Sequence, residues 1–208
     1  MKVHIEHRCA DSNSYRAARV KSLFNVDQGN EVVIDADLPI EDMSWKIGVV
    51  VGPSGSGKTS IGRRFKAPYN PRWPKDEPII DAIAPGGAFD QVPSALSAVG
   101  LGSVPAWLRP FNVLSMGEQF RATLARLVCE APALAVIDEF SSVVDRHIAQ
   151  IGAGAFAKAW RRTSGQVVLL SCHYDILDWV QPDWVYDTDS GQFYRGWHRR
   201  RPSIELEV

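Results

Sequence analysis

The octapeptide Gly52-Pro-Ser-Gly-Ser-Gly57-Lys58-Thr59 constrains this chain more than any other stretch. It fits G-x-x-x-x-G-K-[ST] at every fixed position, and its context agrees: an apolar run from Lys46 to Val51 precedes it and a helical pattern from Lys58 to Phe65 follows. Glycines let backbone N–H groups turn inward around phosphate oxygens. A helix N-terminus directed at the same point adds its partial positive charge. Gly52, Pro53, Ser54, Gly55, Ser56, Gly57, Lys58, Thr59 and Ser60 are therefore expected to line a phosphate site. Lys58 would reach the outer phosphates and the Thr59 hydroxyl would hold Mg²⁺.

A chain of 208 residues predicts one domain. With 45% hydrophobic and 23% charged residues it can bury a core without staples. The net charge of −1 excludes a global pull toward nucleic acid or anionic lipid. Cys9, Cys129 and Cys172 suit a reducing compartment better than a disulfide framework. The N-terminus lacks the apolar core of a signal peptide, and no apolar run approaches the ~20 residues of a membrane helix. The expected location is cytoplasmic, with no direct membrane insertion.

Strands alternating with helices predict an α/β fold around a largely parallel sheet. Residues 1–45 read as a β part with strands KVHIEH, RAARVKSLF and EVVIDADLPI, within a single domain spanning 1–208. Residues 46–175 form the phosphate-loop core. Within it Ile79–Ile83 reads as a strand and a short helical insert occupies about 85–113, including a helix near Val92–Val99. Gly117–Ala131 and Asp145–Trp160 read as helices, Leu134–Ile137 and Val167–Ser171 as buried strands. Residues 176–208 hold a hairpin, DWVYDT and QFYRG, and a basic tail.

The strand ALAVI ends in Asp138 and Glu139. At the C-terminal end of a strand beside the phosphate loop, Asp138 would bind Mg²⁺ through water and Glu139 would orient or deprotonate an attacking water. Alone, two acids at a strand end read equally as the start of a solvated loop.

Together these motifs resemble the ATP-binding-cassette ATPases. Leu114-Ser115-Met116-Gly117-Glu118-Gln119 is similar to that family's signature loop, and Asp138 follows Ser115 by 23 residues. Ser141 to Asp145 resembles its D-loop. His173, 34 residues beyond Glu139, stands where the family has its switch histidine. The resemblance implies MgATP binding and hydrolysis by a head-to-tail homodimer with two nucleotides between protomers. Ser115 and Gly117 of one subunit would face the γ-phosphate held by Lys58 of the other, and His173 would contact that phosphate and the water. It also implies an aromatic on the adenine: Phe24, with Tyr15 as alternate, Phe24 reading equally as a core residue of its strand.

Two features depart from the transport members. Only 57 residues separate Lys58 from Ser115, which shortens the helical subdomain, and Gln91 is the one glutamine between them. Gln91 is the Q-loop candidate and reads equally as a polar surface residue. Glu118 stands where transporters usually carry glutamine, as in the chromosome-maintenance and break-repair branch. The stretch Val99 to Pro110 resembles a small bacterial and phage group often fused to a predicted acetyltransferase domain. An acetyltransferase-type protein or DNA is thus an expected partner. The alternatives are a transporter's ATP-binding subunit and a nucleotide-gated scaffold with little turnover. Arg195, His198, Arg199, Arg200 and Arg201 beside Trp197 read as a phosphate-backbone contact or a solvated end. His4, His7 and Cys9 have ligand chemistry without a fourth partner.

Overall fold

The structure, a computed structural model, describes residues 1–8, 14–24 and 31–197. They fall into two compact units, 1–42 and 43–208. Cys9, Asp27 to Asn30 and the tail from His198 lie outside the described residues.

The first unit pairs β1 (Lys2–Arg8) antiparallel with β2 (Glu31–Asp37), Ile5 opposite Ile34. Between them, RAARVKSLF is not a strand but α1 (Tyr15–Phe24). Alanine, arginine, lysine and leucine favour a helix over a pleated strand. Ser14 caps the helix, its Oγ accepting from the Ala17 amide at 3.2 Å. His4 pairs through Nδ1 with Asp35 at 2.5 Å, and no group of three or more His, Cys, Asp or Glu among the described residues could hold a metal.

In the second unit a five-stranded sheet runs in the order β4–β5–β3–β6–β7. In chain order the elements are β3 (Ile47–Val51), α2 (Lys58–Phe65), α3 (Ile79–Ala82), α4 (Gln91–Ala98), α5 (Val104–Trp107), α6 (Met116–Glu130), β4 (Leu134–Ile137), α7 (Arg146–Trp160), β5 (Gln166–Ser171), α8 (Ile176–Val180), β6 (Trp184–Asp187) and β7 (Gln192–Arg195). The first four strands in the sheet order are parallel, and β7 closes antiparallel on β6, as the hairpin pattern predicts. No helix among the described residues is long and apolar enough to cross a membrane.

Residues of β3 alternate between two buried faces, which is why the whole strand is apolar. Ile47, Val49 and Val51 join Val167, Leu169 and Val185 in the core beneath Leu124, Leu127, Phe156 and Trp160 of α6 and α7. On the other face Gly62 of α2 comes so close that a Cβ there would meet Leu170 Cδ1 at 2.5 Å. On that face too, Trp184 stacks on Phe65 at 5.8 Å and on Phe193 at 6.0 Å, with Trp45 edge-on at 5.4 Å. Its indole Nε1 is buried with no hydrogen-bond partner, so ring packing holds this side chain in place.

Ile79–Ile83, read as a strand, forms α3 with its C-cap. Pro78 starts the turn, the Ala82 amide donating to its carbonyl at 3.0 Å. Ile79 and Ile83, four apart, then fall on one buried helical face. α6 opens with a capping box. The Ser115 amide and hydroxyl each donate to Glu118 Oε2 at 2.8 Å, and the Glu118 amide donates to Ser115 Oγ at 3.4 Å.

A Cβ on Gly48 would meet Trp184 Cζ2 at 2.0 Å. Gly48→Ala is expected to lower stability by about 1–3 kcal/mol, read as a lower urea midpoint. Glu118→Ala is expected to cost about 1 kcal/mol at pH 7. The Ser115 amide and hydroxyl hold the Glu118 carboxyl below its ordinary value of 4.5. The cap is thus complete above that value and is lost as pH falls through the lowered one. Urea midpoints of wild type and variant should converge as pH falls through that lowered value; a constant gap would show the carboxylate charge to be irrelevant.

Candidate functional site

The C-terminal ends of β3, β5 and β4 lie side by side, with Val51 in register with Ser171 and Ile137 with Leu169. Each end leads into a sequence-predicted segment: Gly52 to Thr59, Cys172–His173 and Asp138–Glu139. Ser171, 1% exposed, joins all three. Its carbonyl accepts from the Gly52 amide at 3.3 Å. Its hydroxyl donates to the Phe140 carbonyl at 3.2 Å and accepts from the His173 amide at 3.1 Å. The Phe140 amide in turn donates to the Leu170 carbonyl at 2.8 Å.

The phosphate loop folds as its glycines require. Gly55 and Gly57 take φ of 80° and 88°, a backbone few other residues adopt, and α2 starts at Lys58 with Gly57 as an N-cap lacking a side-chain bond. The first-turn amides of α2 therefore have no side-chain acceptor from the cap position. Lys58 is 8% exposed and lies back across the loop. Its Nζ donates to the Gly52 carbonyl at 2.9 Å and the Pro53 carbonyl at 2.7 Å. Ser54 and Pro53 are exposed, while Thr59 and Ser60 are half-buried in the first turn of α2.

Thr188, one residue past β6, is a part of this site that motif reading misses. Its amide donates to the Val51 carbonyl at 2.8 Å and its hydroxyl to the same oxygen at 3.1 Å. The hydroxyl also meets Ser56 Oγ at 2.5 Å. A Cβ on Gly52 would lie 2.0 Å from Thr188 Oγ1, so Thr188 explains why the loop's first residue has no side chain. A threonine after a hairpin strand carries no motif, and only the pairing of β6 beside β3 brings it here.

After β4, Asp138 Oδ1 accepts from the Glu139 amide at 2.9 Å. Glu139 and Ser141 both adopt left-handed backbone, φ 51° and 65°, in a turn closed by the Ser142 amide on the Glu139 carbonyl at 3.0 Å. The turn leaves the Glu139 side chain exposed while Phe140 and Ser141 are buried. Thr59 and Asp138 supply hydroxyl and carboxylate oxygens, the donors Mg²⁺ takes. Two such residues fit an ion that completes its shell with water and substrate phosphates.

Ser115 is exposed at the head of α6. Gly117 is buried, and a Cβ on it would meet Ile148 at 3.2 Å. The approach to α6 is held by Gln119 Nε2 on the Phe111 and Leu114 carbonyls at 3.1 and 3.0 Å. Arg121 adds bonds to the Gly117 and Gly100 carbonyls at 3.0 and 2.9 Å.

Two expectations need correction. Gln91 opens α4 with its Nε2 donating to the Cys129 carbonyl at 3.4 Å. Cys129 is next to last in α6, which leads into the N-terminal end of β4, opposite the end carrying Asp138. Gln91 is therefore not among the grouped residues and reads as a surface contact. Phe24 is not a core residue of a strand: it ends α1 in the first unit and is 72% exposed, as Tyr15 is exposed at that helix's start.

No protein-family model matches the chain. The zinc import ATP-binding protein ZnuC of Pseudomonas aeruginosa is 31% identical over 159 residues, covering 65% of this chain and 56% of ZnuC. The chain thus spans little more than half the length of that relative. The cytochrome c biogenesis ATP-binding export protein CcmA of Rhodospirillum rubrum is 29% identical over 163 residues, covering 62% of this chain and 68% of CcmA. Among solved structures, cbiO1 from Clostridium perfringens, part of the ABC transporter complex cbiONQ, superposes with TM-score 0.55 at 13% identity, 80% of each chain covered. A bacterial Atm1-family ABC exporter with ATP bound gives TM-score 0.55 at 16% identity over 81% of this chain and 35% of the exporter. At those identities the likeness is one of fold: an α/β, largely parallel P-loop fold of the ABC ATPase type. The chain is thus similar in sequence to ATP-binding proteins of import and export systems, and similar in fold to ATP-binding-cassette ATPases.

Proposed function

We propose that this chain binds MgATP and hydrolyses it to ADP and phosphate, and that it does so as a head-to-tail dimer in the cytoplasm. One observation carries the reading: Ser171 bonds to the start of the phosphate loop, to the turn that follows Asp138 and Glu139, and to the amide of His173. The names of ZnuC and CcmA as ATP-binding proteins support the choice of nucleotide.

On this reading Lys58 Nζ exchanges the Gly52 and Pro53 carbonyls for phosphate oxygens, and the loop amides from Gly55 to Thr59 close around them. Thr59 and Asp138 would hold Mg²⁺, which would supply positive charge to offset that of the phosphates. Glu139 accepts a proton from water as its oxygen bonds to the γ-phosphorus. The bond from that phosphorus to the ADP oxygen breaks, and ADP leaves with the electron pair. His173 steadies the γ-phosphate. Ser115 and the N-terminus of α6 from the partner protomer meet the same phosphate, Glu118 yielding the serine as the anion arrives. Phe24 or Tyr15 remains the proposed adenine contact.

The work coupled to hydrolysis has two readings. A soluble ATPase acting with DNA or an acetyltransferase-type partner is supported by Glu118 in the signature loop and by the short Lys58–Ser115 interval. A transporter's ATP-binding subunit is supported by what ZnuC, CcmA and cbiO1 are named. Steady-state turnover with and without DNA separates them: salt-sensitive stimulation supports the first, and indifference to DNA removes its nucleic-acid form.

Glu139→Gln is expected to lower ATP turnover ~10²- to 10⁴-fold while keeping ATP affinity and trapping the dimer on gel filtration. Wild-type turnover in that variant would remove Glu139 as the base. Lys58→Ala is expected to weaken MgATP binding about 10- to 100-fold in calorimetry, the loss of a charge-assisted bond. Undiminished affinity would overturn the assignment of the loop.

A further inference from the structure

We infer that Arg146, the first residue of α7, is a positioning residue that holds the turn carrying Glu139 and the loop carrying His173 in one geometry. The inference rests on the ATPase reading above. No motif points to this arginine, and it touches neither segment through the groups assigned to chemistry.

Arg146 reaches three neighbours at once. Its guanidinium grips Asp175 with both forks, Nε on Oδ2 at 3.1 Å and Nη2 on Oδ1. Asp175 lies two residues past His173 and occupies the N-cap position of α8. The remaining fork nitrogen, Nη1, donates to Ser141 Oγ at 3.4 Å. Ser141 lies two residues past Glu139 and is buried in left-handed backbone. The guanidinium plane stacks on Trp179 of α8, 4.7 Å from the ring centroid.

This is more than a surface ion pair. A lone exposed pair has no second partner and contributes little. A cation in the first turn of a helix opposes that helix's own dipole, so α7 alone gives no reason for an arginine there. The planar fork suits a residue that must bond a carboxylate in two places and a hydroxyl in a third, which lysine cannot do. Ser171 joins the same two segments from below through the Phe140 carbonyl and the His173 amide. Arg146 closes the second side, so a shift of either loop is passed to the other.

Arg146→Met, Arg146→Lys and Asp175→Asn in the full chain test this. Expected for Arg146→Met is a fall in kcat of about 10- to 100-fold, with the KM for ATP changed less than about twofold. Arg146→Lys should restore only a small part of kcat. Asp175→Asn should match Arg146→Met, and the double variant should lose no more than either single. Unchanged kcat, or a rise in KM that tracks a loss of thermal stability, would overturn the inference. Hydrogen exchange of the 139–142 and 173–175 amides gives a readout that needs no activity. Both segments should exchange faster together in Arg146→Met, and protection unchanged in either one overturns the inference even if the wild-type protein turns over no ATP. Asp175→Asn serves the same measurement should Arg146→Met not fold.

Discussion

Ser171 is the constraint on which the site depends. A serine that ends the valine and leucine run of β5 is buried, and its hydroxyl must find partners there. It finds them in the Phe140 carbonyl and the His173 amide, while its own carbonyl holds the Gly52 amide. Three loops that leave three different strands are thereby held to one residue. The parallel register does the rest: because β3, β5 and β4 run the same way, every loop leaving them emerges at the same edge.

The α-helical insert is short but well tied. Residues 66–78 run without helix from the end of α2, and the Tyr69 amide donates to the Val136 carbonyl on the exposed side of β4 at 2.7 Å. This covers part of an edge that would otherwise present unpaired backbone. α4 packs on α6 through Val92, Ala95 and Leu96, and α6 carries the signature segment at its head. Gln119 and Arg121 bind backbone carbonyls on both sides of that head, so the segment's shape is set by its own side chains.

Much of this was legible in the sequence, for definite reasons. β3, β4 and residues 167–170 of β5 lie in covered parts of the sheet and so appear as apolar runs, while α2, α6 and α7 are long enough to show their period. The phosphate loop and the acids after β4 are legible because each sets particular residue types at a fixed spacing beside an apolar strand. Short elements hid. α3, α5 and α8 have four or five residues each, too few for a period to form, and the isoleucines of α3 mimic a strand. α1 reads as a strand in RAARVKSLF, while its alanines, arginines and lysine favour the helix that Ser14 caps. Gln91 is the one glutamine in its interval, and a count of that kind carries no information about where α4 lies. Thr188 and Arg146 carry no pattern of their own, since each matters through neighbours distant in sequence, such as Ser56 at 132 positions and Asp175 at 29.

The bonds Lys58 makes within its own loop bear on how that loop carries a buried charge. A nearly buried ammonium would ordinarily be a source of instability, yet here the loop's own Gly52 and Pro53 carbonyls solvate it. The loop thus supplies the ammonium with its own acceptors, and any anion that bonds Lys58 must displace them. An anion would therefore gain at this lysine only the difference between two sets of acceptors, so its hold there is an exchange and not an addition.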